Sequence, residues 1–210
     1  MRKIICAIIL GGTLVNTCYS ESDSTNPIEV YGGVGLSFAM SPEEFKEYQT
    51  IGFNLAIGAG RGMNISLGNF DISIGGRLDF SSLDLDGDKF LREKKVLEED
   101  YSIIGGGTSV LTFLGTVKAS LSSIISPYFS CGMGFLRLST SNATICDSSY
   151  EFYEDITGSL ENTFGISLGV GVEAGTPFGL LAEGQYVIGW TQDACTQLLL
   201  PIKLGVIYKW

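Results

Sequence analysis

The chain has 210 residues, with 13 basic and 23 acidic side chains, a formal net charge of −10 and no histidine. An acidic chain without a basic run excludes a typical nucleic-acid binder, because neutralising phosphates needs clustered Lys and Arg. The missing histidine removes the commonest general base and zinc ligand, and every Ser-His or Cys-His catalytic pair. We therefore expect neither an enzyme nor a bound cofactor.

The first 20 residues have the features of a secretory signal peptide. Met1-Arg2-Lys3 is basic, an apolar stretch runs from Ile4 to Val15, and small residues follow at Cys18 and Ser20. The stretch is shorter than the ~20 residues that a membrane-spanning helix needs. We predict cleavage after Ser20, so that residues 21–210 form one domain exported to an oxidising compartment.

The rest of the chain alternates between apolar and small or polar residues with a period of two, which predicts β-strands. In one segment Phe70, Ile72 and Ile74 alternate with Asp71 and Ser73. About eight such segments follow one another, near residues 28–38, 51–60, 70–81, 109–121, 128–135, 164–173, 180–190 and 198–210. No helical period competes over any long stretch.

The connections between these segments alternate in length. Long polar connections lie near residues 39–49, 84–100, 141–160 and 191–197, and shorter ones near 60–69, 122–126 and 175–179. Long loops at one rim and tight turns at the other are typical of bacterial outer-membrane barrels. A soluble up-and-down barrel or a two-sheet sandwich also alternates. The bulky apolar face opposite Gly, Ser and charged residues favours the membrane barrel, because a soluble barrel has an apolar interior.

Three segments carry a family resemblance. Ser126-Pro127-Tyr128 through Phe135 resembles the PY-x-x-x-G-x-G strand of small outer-membrane barrels, and Leu180–Tyr186 resembles their penultimate strand. Leu204–Trp210 resembles the C-terminal signal that the barrel-insertion machinery reads, with aromatic residues at Tyr208 and Trp210. The whole mature chain is thus similar to OmpA-like, opacity-type barrels.

This resemblance implies an all-β, antiparallel, up-and-down transmembrane β-barrel of about eight strands in the bacterial outer membrane. Its partners would be outer-membrane lipid and the barrel-insertion machinery, with no nucleic acid, and the chain would be a monomer. The family includes lipid A-remodelling enzymes and proteases, but those use a histidine that this chain lacks.

An eight-stranded barrel is so narrow that side chains fill its interior. The predicted inner faces carry eight charged residues: Glu29, Arg77, Asp79, Lys118, Glu173, Glu183, Lys203 and Lys209. We expect them to pair within a packed polar core, because a buried charge without its partner costs several kcal/mol. A narrow ion path gated by such pairs is the alternative. Because the first and last strands become neighbours on closure, we also predict an ion pair between Glu29 and Lys209.

The cysteines divide between strand and loops. Cys131 alternates with Phe129 and Met133, so it should face lipid and stay unpaired. Strand parity places Cys146 and Cys195 in connections at the same rim. An oxidising compartment favours a disulfide between them, which would close a loop of about 50 residues and stabilise the fold by roughly 2–4 kcal/mol.

Three further patterns have structural interpretations. Asp84–Asp88 is acidic, but Lys89 and Lys95 stand where a calcium loop needs Gly and Glu, so it reads as a solvated loop tip. Gly105–Gly107 lacks the context of a phosphate loop and predicts a bend or strand start. Lipid-facing aromatic residues fit girdles at the two membrane interfaces: Tyr186, Trp190, Tyr208 and Trp210.

Three functions follow from these patterns. The first is a small, non-enzymatic outer-membrane barrel whose long loops serve adhesion, defence or envelope integrity. The second is a narrow channel, and the third is a soluble periplasmic barrel that binds a ligand.

Overall fold

A computed structural model describes residues 27–67, 69–93, 101–147, 152–190 and 196–210. Two short helices, α1 (Glu43–Tyr48) and α2 (Gly87–Glu93), lie in connections between strands. The strands, in chain order, are β1 (Ile28–Ser41), β2 (Gly52–Leu67), β3 (Phe70–Leu83), β4 (Tyr101–Gly105), β5 (Thr108–Leu121), β6 (Ile125–Thr140), β7 (Ala143–Asp147), β8 (Phe152–Ile156), β9 (Leu160–Ala174), β10 (Phe178–Trp190) and β11 (Thr196–Lys209).

The eight long strands close into one antiparallel barrel in the order β1-β11-β10-β9-β6-β5-β3-β2. The short strands β4, β7 and β8 form a separate three-stranded antiparallel sheet, with β7 in the middle. Strands that follow one another along the barrel are neighbours in space, and β1 closes against β11. The predicted eight-stranded, up-and-down barrel is confirmed.

The two faces of the barrel wall are inverted relative to a soluble barrel. The side chain of Lys203 faces the lumen and is 2% exposed, whereas Phe135 faces outward and is 70% exposed. Because successive residues of a strand point to opposite faces, this difference follows directly from the period of two in the sequence. The outer faces predicted for the eight segments are the exposed ones.

The two ends of the barrel differ. We call "loop end" the rim with connections 42–51, 84–107, 141–159 and 191–195, and "turn end" the rim with connections 68–69, 122–124 and 175–177. The predicted connection 60–69 is wrong, because β2 continues to Leu67. A register shift between Gly62 and Ser66 interrupts the alternation of apolar and polar residues there. The end of β2 therefore cannot be recognised from a period of two in the sequence.

The described part of the loop end contains more regular secondary structure than the sequence predicts. Helices of six and seven residues are too short to show a helical period. The sheet β4-β7-β8 pairs five-residue strands from two different connections, a non-local contact that no local pattern reports. In the described part of the chain, no helix is both long and apolar enough to span a membrane.

Candidate functional site

Four charged side chains of β3, β10 and β11 meet at mid-height in the lumen. We call Arg77, Asp79, Glu183 and Lys203 the central charge cluster. Arg77 donates to both oxygens of Asp79 (Nε 2.7 Å, Nη2 3.2 Å) and to both oxygens of Glu183 (Nη1 2.9 Å, Nη2 2.8 Å). Lys203 Nζ lies 2.8 Å from Asp79 Oδ1 and 2.8 Å from Gln185 Oε1. Two cations and two anions therefore neutralise one another out of contact with water.

A second group of four charges lies nearer the turn end. We call Glu29, Lys118, Glu173 and Lys209 the turn-end charge cluster. Lys118 Nζ bridges Glu29 Oε2 at 2.6 Å and Glu173 Oε1 at 2.8 Å. Lys209 Nζ lies 2.6 Å from Glu173 Oε2, and Ser73 Oγ donates to Glu29 Oε1 at 3.2 Å. Its lysine side chains are 13% and 23% exposed, so this cluster is wetter than the central one.

Each cluster is held by a tyrosine that lies over a glycine. A Cβ at Gly58 would overlap the ring of Tyr31, and the guanidinium carbon of Arg77 lies 5.9 Å from the centre of that ring. A Cβ at Gly171 would overlap the ring of Tyr128, and Lys118 Nζ lies 5.5 Å from that ring centre. The two glycines thus admit rings that contact the cations.

Toward the loop end, the lumen contains no charge cluster but has an apolar group beside the hydrogen-bonded side chains of Ser37, Asn54 and Ser81. Seven buried residues pack together there, and we call them the apolar plug: Leu83, Val110, Leu114, Leu136, Leu138, Val187 and Leu199. They come from the ends of β3, β6 and β10 and the starts of β5 and β11, and none is more than 9% exposed. The charged part of the predicted polar core therefore occupies the half of the lumen nearer the turn end, and the other half combines apolar residues with a few uncharged polar ones.

A small cavity remains between the two charge clusters. Its volume is about 30 Å³, and Glu29, Arg77, Lys118 and Glu183 contribute to its lining. A space of this size holds about two water molecules. It does not form a continuous aqueous path.

The structure places all eight charged residues predicted for the lumen inside the barrel. Ser130 Oγ also donates to Glu183 Oε1 at 3.1 Å, which the sequence reading missed. The predicted ion pair between Glu29 and Lys209 does not form, although Glu29 of β1 and Lys209 of β11 are register partners. Long side chains cross the narrow lumen, so Glu29 binds Lys118 of β5 and Lys209 binds Glu173 of β9 instead.

The structure describes two of the three mature cysteines. Cys131 is exposed on the outer face and free, as predicted. Cys146 is buried in β7, opposite Ser102 of β4, and forms no disulfide with a described residue. Cys195 lies outside the described residues, so the disulfide between Cys146 and Cys195 stays a prediction.

Aromatic residues of the outer face cluster near both ends. At the turn end, Tyr208 lies 5.3 Å from Trp210 and 4.5 Å from Phe178 between ring centres. Trp190 lies at the other end of β10, opposite Phe164. The role of Tyr208 and Trp210 as an assembly signal is untested by this geometry and stays a prediction.

The described parts of the first three long connections form one cap at the loop end. The first two meet where Tyr48 packs edge-on against Phe90 at 5.5 Å between ring centres, and the neighbouring Leu91 is 2% exposed. The second and third meet in the sheet β4-β7-β8. The acidic segment Asp84–Asp88 contains the N-terminal cap of α2, because the backbone amide of Lys89 donates to Asp86 Oδ1 at 3.2 Å.

The glycine run forms a bend between two strands. Gly105 and Gly106 have φ values of 92° and 79°, so they form the bend that leads from β4 into β5. Among the described residues, no group of three or more Cys, Asp and Glu side chains could hold a metal ion.

Comparison with known proteins gives a likeness of fold. No protein-family model matches the chain, and no curated protein sequence matches it. Neisserial surface protein A is 13% identical with a TM-score of 0.54, over 90% of this chain and 100% of its own. A major outer membrane protein from Thermus thermophilus is 13% identical with a TM-score of 0.49, over 89% and 100%. Ail of Yersinia pestis is 13% identical with a TM-score of 0.45, over 89% and 100%.

The fold class follows from these observations. The chain has the closed, eight-stranded antiparallel barrel of small outer-membrane proteins, with a polar lumen at the turn end and an apolar outer face. The resemblance to OmpA-like barrels is confirmed at the level of the fold.

Proposed function

We propose that this chain is a non-enzymatic barrel of the bacterial outer membrane that presents its loop-end cap to the outside. The observation that carries the proposal is the inverted wall, with charged residues at 2–4% exposure inside and Phe113 and Phe135 at 61% and 70% outside. Soluble monomers rarely expose a continuous apolar belt. This distribution supports a barrel in lipid over a soluble ligand-binding barrel.

The height of the apolar belt matches a membrane. On β6 the outward residues from Ile125 to Phe135 are apolar, and Arg137 follows on the same face. Ten residue steps of about 3.3 Å, tilted by about 40°, span roughly 25 Å along the barrel axis. Outer-membrane barrels have an apolar band of about this height.

The filled lumen supports a closed barrel over a narrow channel. An ion would have to cross the apolar plug and then the central charge cluster, where each charge already has its partners. Opening such a path requires unpairing buried charges, which costs several kcal/mol. The free space between the clusters is only about 30 Å³.

The charge distribution supports contact with partners at the loop end. The four long connections contain 15 acidic and five basic residues, a net charge of −10 that equals that of the whole chain. An acidic surface steers cationic partners and repels anionic ones. We therefore assign the surface role, in adhesion or another loop-mediated contact, to this cap.

Two measurements test the proposal. The folded full chain in detergent should migrate differently on gels before and after boiling, as membrane barrels do, and planar bilayers containing it should show no conductance steps. Identical migration would contradict the membrane barrel. Regular conductance steps would contradict the closed lumen and favour the channel.

A further inference from the structure

The hydrogen-bonded wall of the barrel has a gap between β10 and β11. These two strands keep one register on both sides of the gap, but the pairs Gln185–Pro201 and Tyr186–Leu200 within it do not form. Over the same residues β10 stays paired with β9, and β11 stays paired with β1. The gap therefore concerns only the contact between these two strands, and we call its four residues the β10-β11 seam.

Pro201 is the physical cause of this gap. Proline has no backbone N–H, so in sheets it is confined to edge strands, strand starts and bulges. A closed barrel has no edge strand, and Pro201 lies in the interior of β11. Because antiparallel partners exchange both of their backbone hydrogen bonds, the carbonyl of Gln185 lacks its donor from β11. In the core of a bilayer no water replaces such a donor.

A second proline of the wall lies where it interrupts no ladder. Pro127 is in β6, and the pairing of β6 with β9 continues through it. The pairing of β6 with β5 begins at Tyr128, one residue later, so the missing N–H of Pro127 falls outside that ladder. Pro127 thus lies where a ladder ends near the turn end, whereas Pro201 removes a hydrogen bond from the middle of the wall.

The seam lies directly behind the central charge cluster and is thinly covered on the outside. Gly184 lies beside the seam on the outer face, and a Cβ there would meet nothing within 4 Å. On the lumen side, Gln185 Oε1 accepts a hydrogen bond from Lys203 Nζ at 2.8 Å, and both side chains are buried. Of the central charge cluster, Glu183 belongs to β10 and Lys203 to β11, so the two strands of the seam hold the cluster from either side.

The two strands are held together above and below the seam. Toward the loop end, Val187 and Leu199 are register partners within the apolar plug and are 2% and 3% exposed. Toward the turn end, Glu183 and Lys203 are register partners, and Glu183 Oε2 lies 3.6 Å from Lys203 Nζ. A separation of β10 from β11 is therefore confined to the seam, and the plug keeps the lumen closed above it.

We propose that the β10-β11 seam is a built-in opening point of the wall, where the two strands part locally and admit water from the cavity beneath to Gln185 and Lys203. Glu183 of the same strand lines that cavity. Opening releases Gln185 from Lys203, while the hydrogen bond from Lys203 to Asp79 across the lumen keeps the cluster together. This inference goes beyond the proposed surface role, because it gives the closed barrel one place at which its central charges exchange with solvent.

Amide hydrogen exchange along β10 tests this opening, because successive amides of a strand face its two neighbours in turn. The amide of Gln185 faces β11, whereas the amides of Tyr186 and Ile188 face β9. The exchange is measured by NMR on the full chain in phosphatidylcholine nanodiscs. The protection factor of Gln185 should be roughly tenfold lower than those of Tyr186 and Ile188, because local opening frees only the amides on the side of β11. Equal protection of the three amides would overturn the inference.

Two proline substitutions separate the seam from a general mobility of the strand. Pro201→Val supplies the missing N–H and should raise the protection of Gln185 to that of Tyr186. Pro127→Val is the matched control and should leave the exchange along β10 as it is in the unaltered chain.

The outcomes distinguish this inference from the proposed function. Unchanged fast exchange of Gln185 in folded Pro201→Val would overturn the seam. If Pro201→Val does not fold, the comparison of Gln185 with Tyr186 in the unaltered chain decides. Gel migration of the unaltered chain that does not change on heating would contradict the membrane barrel of the proposed function, and the exchange pattern of β10 would then be read in detergent.

Discussion

The two halves of the lumen are stabilised mainly by different interactions, ion pairs toward the turn end and apolar packing toward the loop end. Toward the turn end, eight charges neutralise one another in two clusters, each with a tyrosine lying over a glycine. Toward the loop end, seven aliphatic side chains form the apolar plug. The polar half depends on particular partners, since a lost ion-pair partner leaves a buried charge, whereas the apolar half depends on filled volume. One narrow barrel therefore contains both a charge network and a small hydrophobic core.

The largest expected effect comes from breaking the central charge cluster. Arg77→Met leaves Asp79 and Glu183 with only Lys203, so one negative charge is buried in excess. We expect the free energy of unfolding in lipid vesicles, measured by urea titration, to fall by about 3–5 kcal/mol.

A charge-balanced variant is the control for this prediction. Adding Glu183→Gln to Arg77→Met removes the excess charge and should recover part of the lost stability. A double variant that is less stable than the single one would show that packing, and not charge, dominates at this position.

Truncating the apolar plug should have the next largest effect. Leu114→Ala removes buried volume at a residue that is 0% exposed, and we expect a loss of about 2–4 kcal/mol in the same titration. Leu204→Ala is the matched control, because Leu204 is 67% exposed on the outer face and leaves no internal cavity. Equal losses in the two variants would contradict the packed plug.

A smaller effect should follow from displacing a tyrosine. In Gly58→Ala the new methyl group overlaps the ring of Tyr31, which must move away from Arg77. We expect a loss of about 1–3 kcal/mol. Gly184→Ala is the control, since a Cβ there meets nothing within 4 Å, and it should change stability little. Similar losses from both substitutions would mean that strand propensity, and not the ring contact, is the cause.

The smallest effect concerns the connections above the plug. If Cys146 and Cys195 are bonded, adding reductant should change the migration of the protein on gels, because the bridge restricts the third and fourth connections. The comparison is made for both unboiled and boiled protein. Cys146→Ser should abolish that difference. If the gel migration of the unaltered chain does not depend on reductant, the predicted disulfide is contradicted.

The sequence predicted the barrel and the polar half of its lumen because both follow from the period of two. Arg77, Asp79, Glu183 and Lys203 stand at alternate positions opposite bulky apolar residues, so their inward orientation could be read directly. Their partners could not, because side chains that cross the lumen depend on tertiary geometry. Glu29 shows this, since its register with Lys209 follows from closure while its contact with Lys118 does not.

The apolar plug could not be predicted from the same pattern. At Leu136-Arg137-Leu138 the usual order is inverted, with leucines inward and the charged residue outward, so a rule of apolar outside and polar inside misassigns them.

The native thiol of Cys131 offers the most direct test of the inverted wall. It is exposed on the outer face, midway along the apolar residues of β6. A spin label on Cys131, with the other four cysteines replaced by serine, can be measured in the full chain inserted in phospholipid vesicles. A barrel in lipid predicts frequent collisions of the label with dissolved oxygen and few with a water-soluble nickel complex. Frequent collisions with the nickel complex would contradict it.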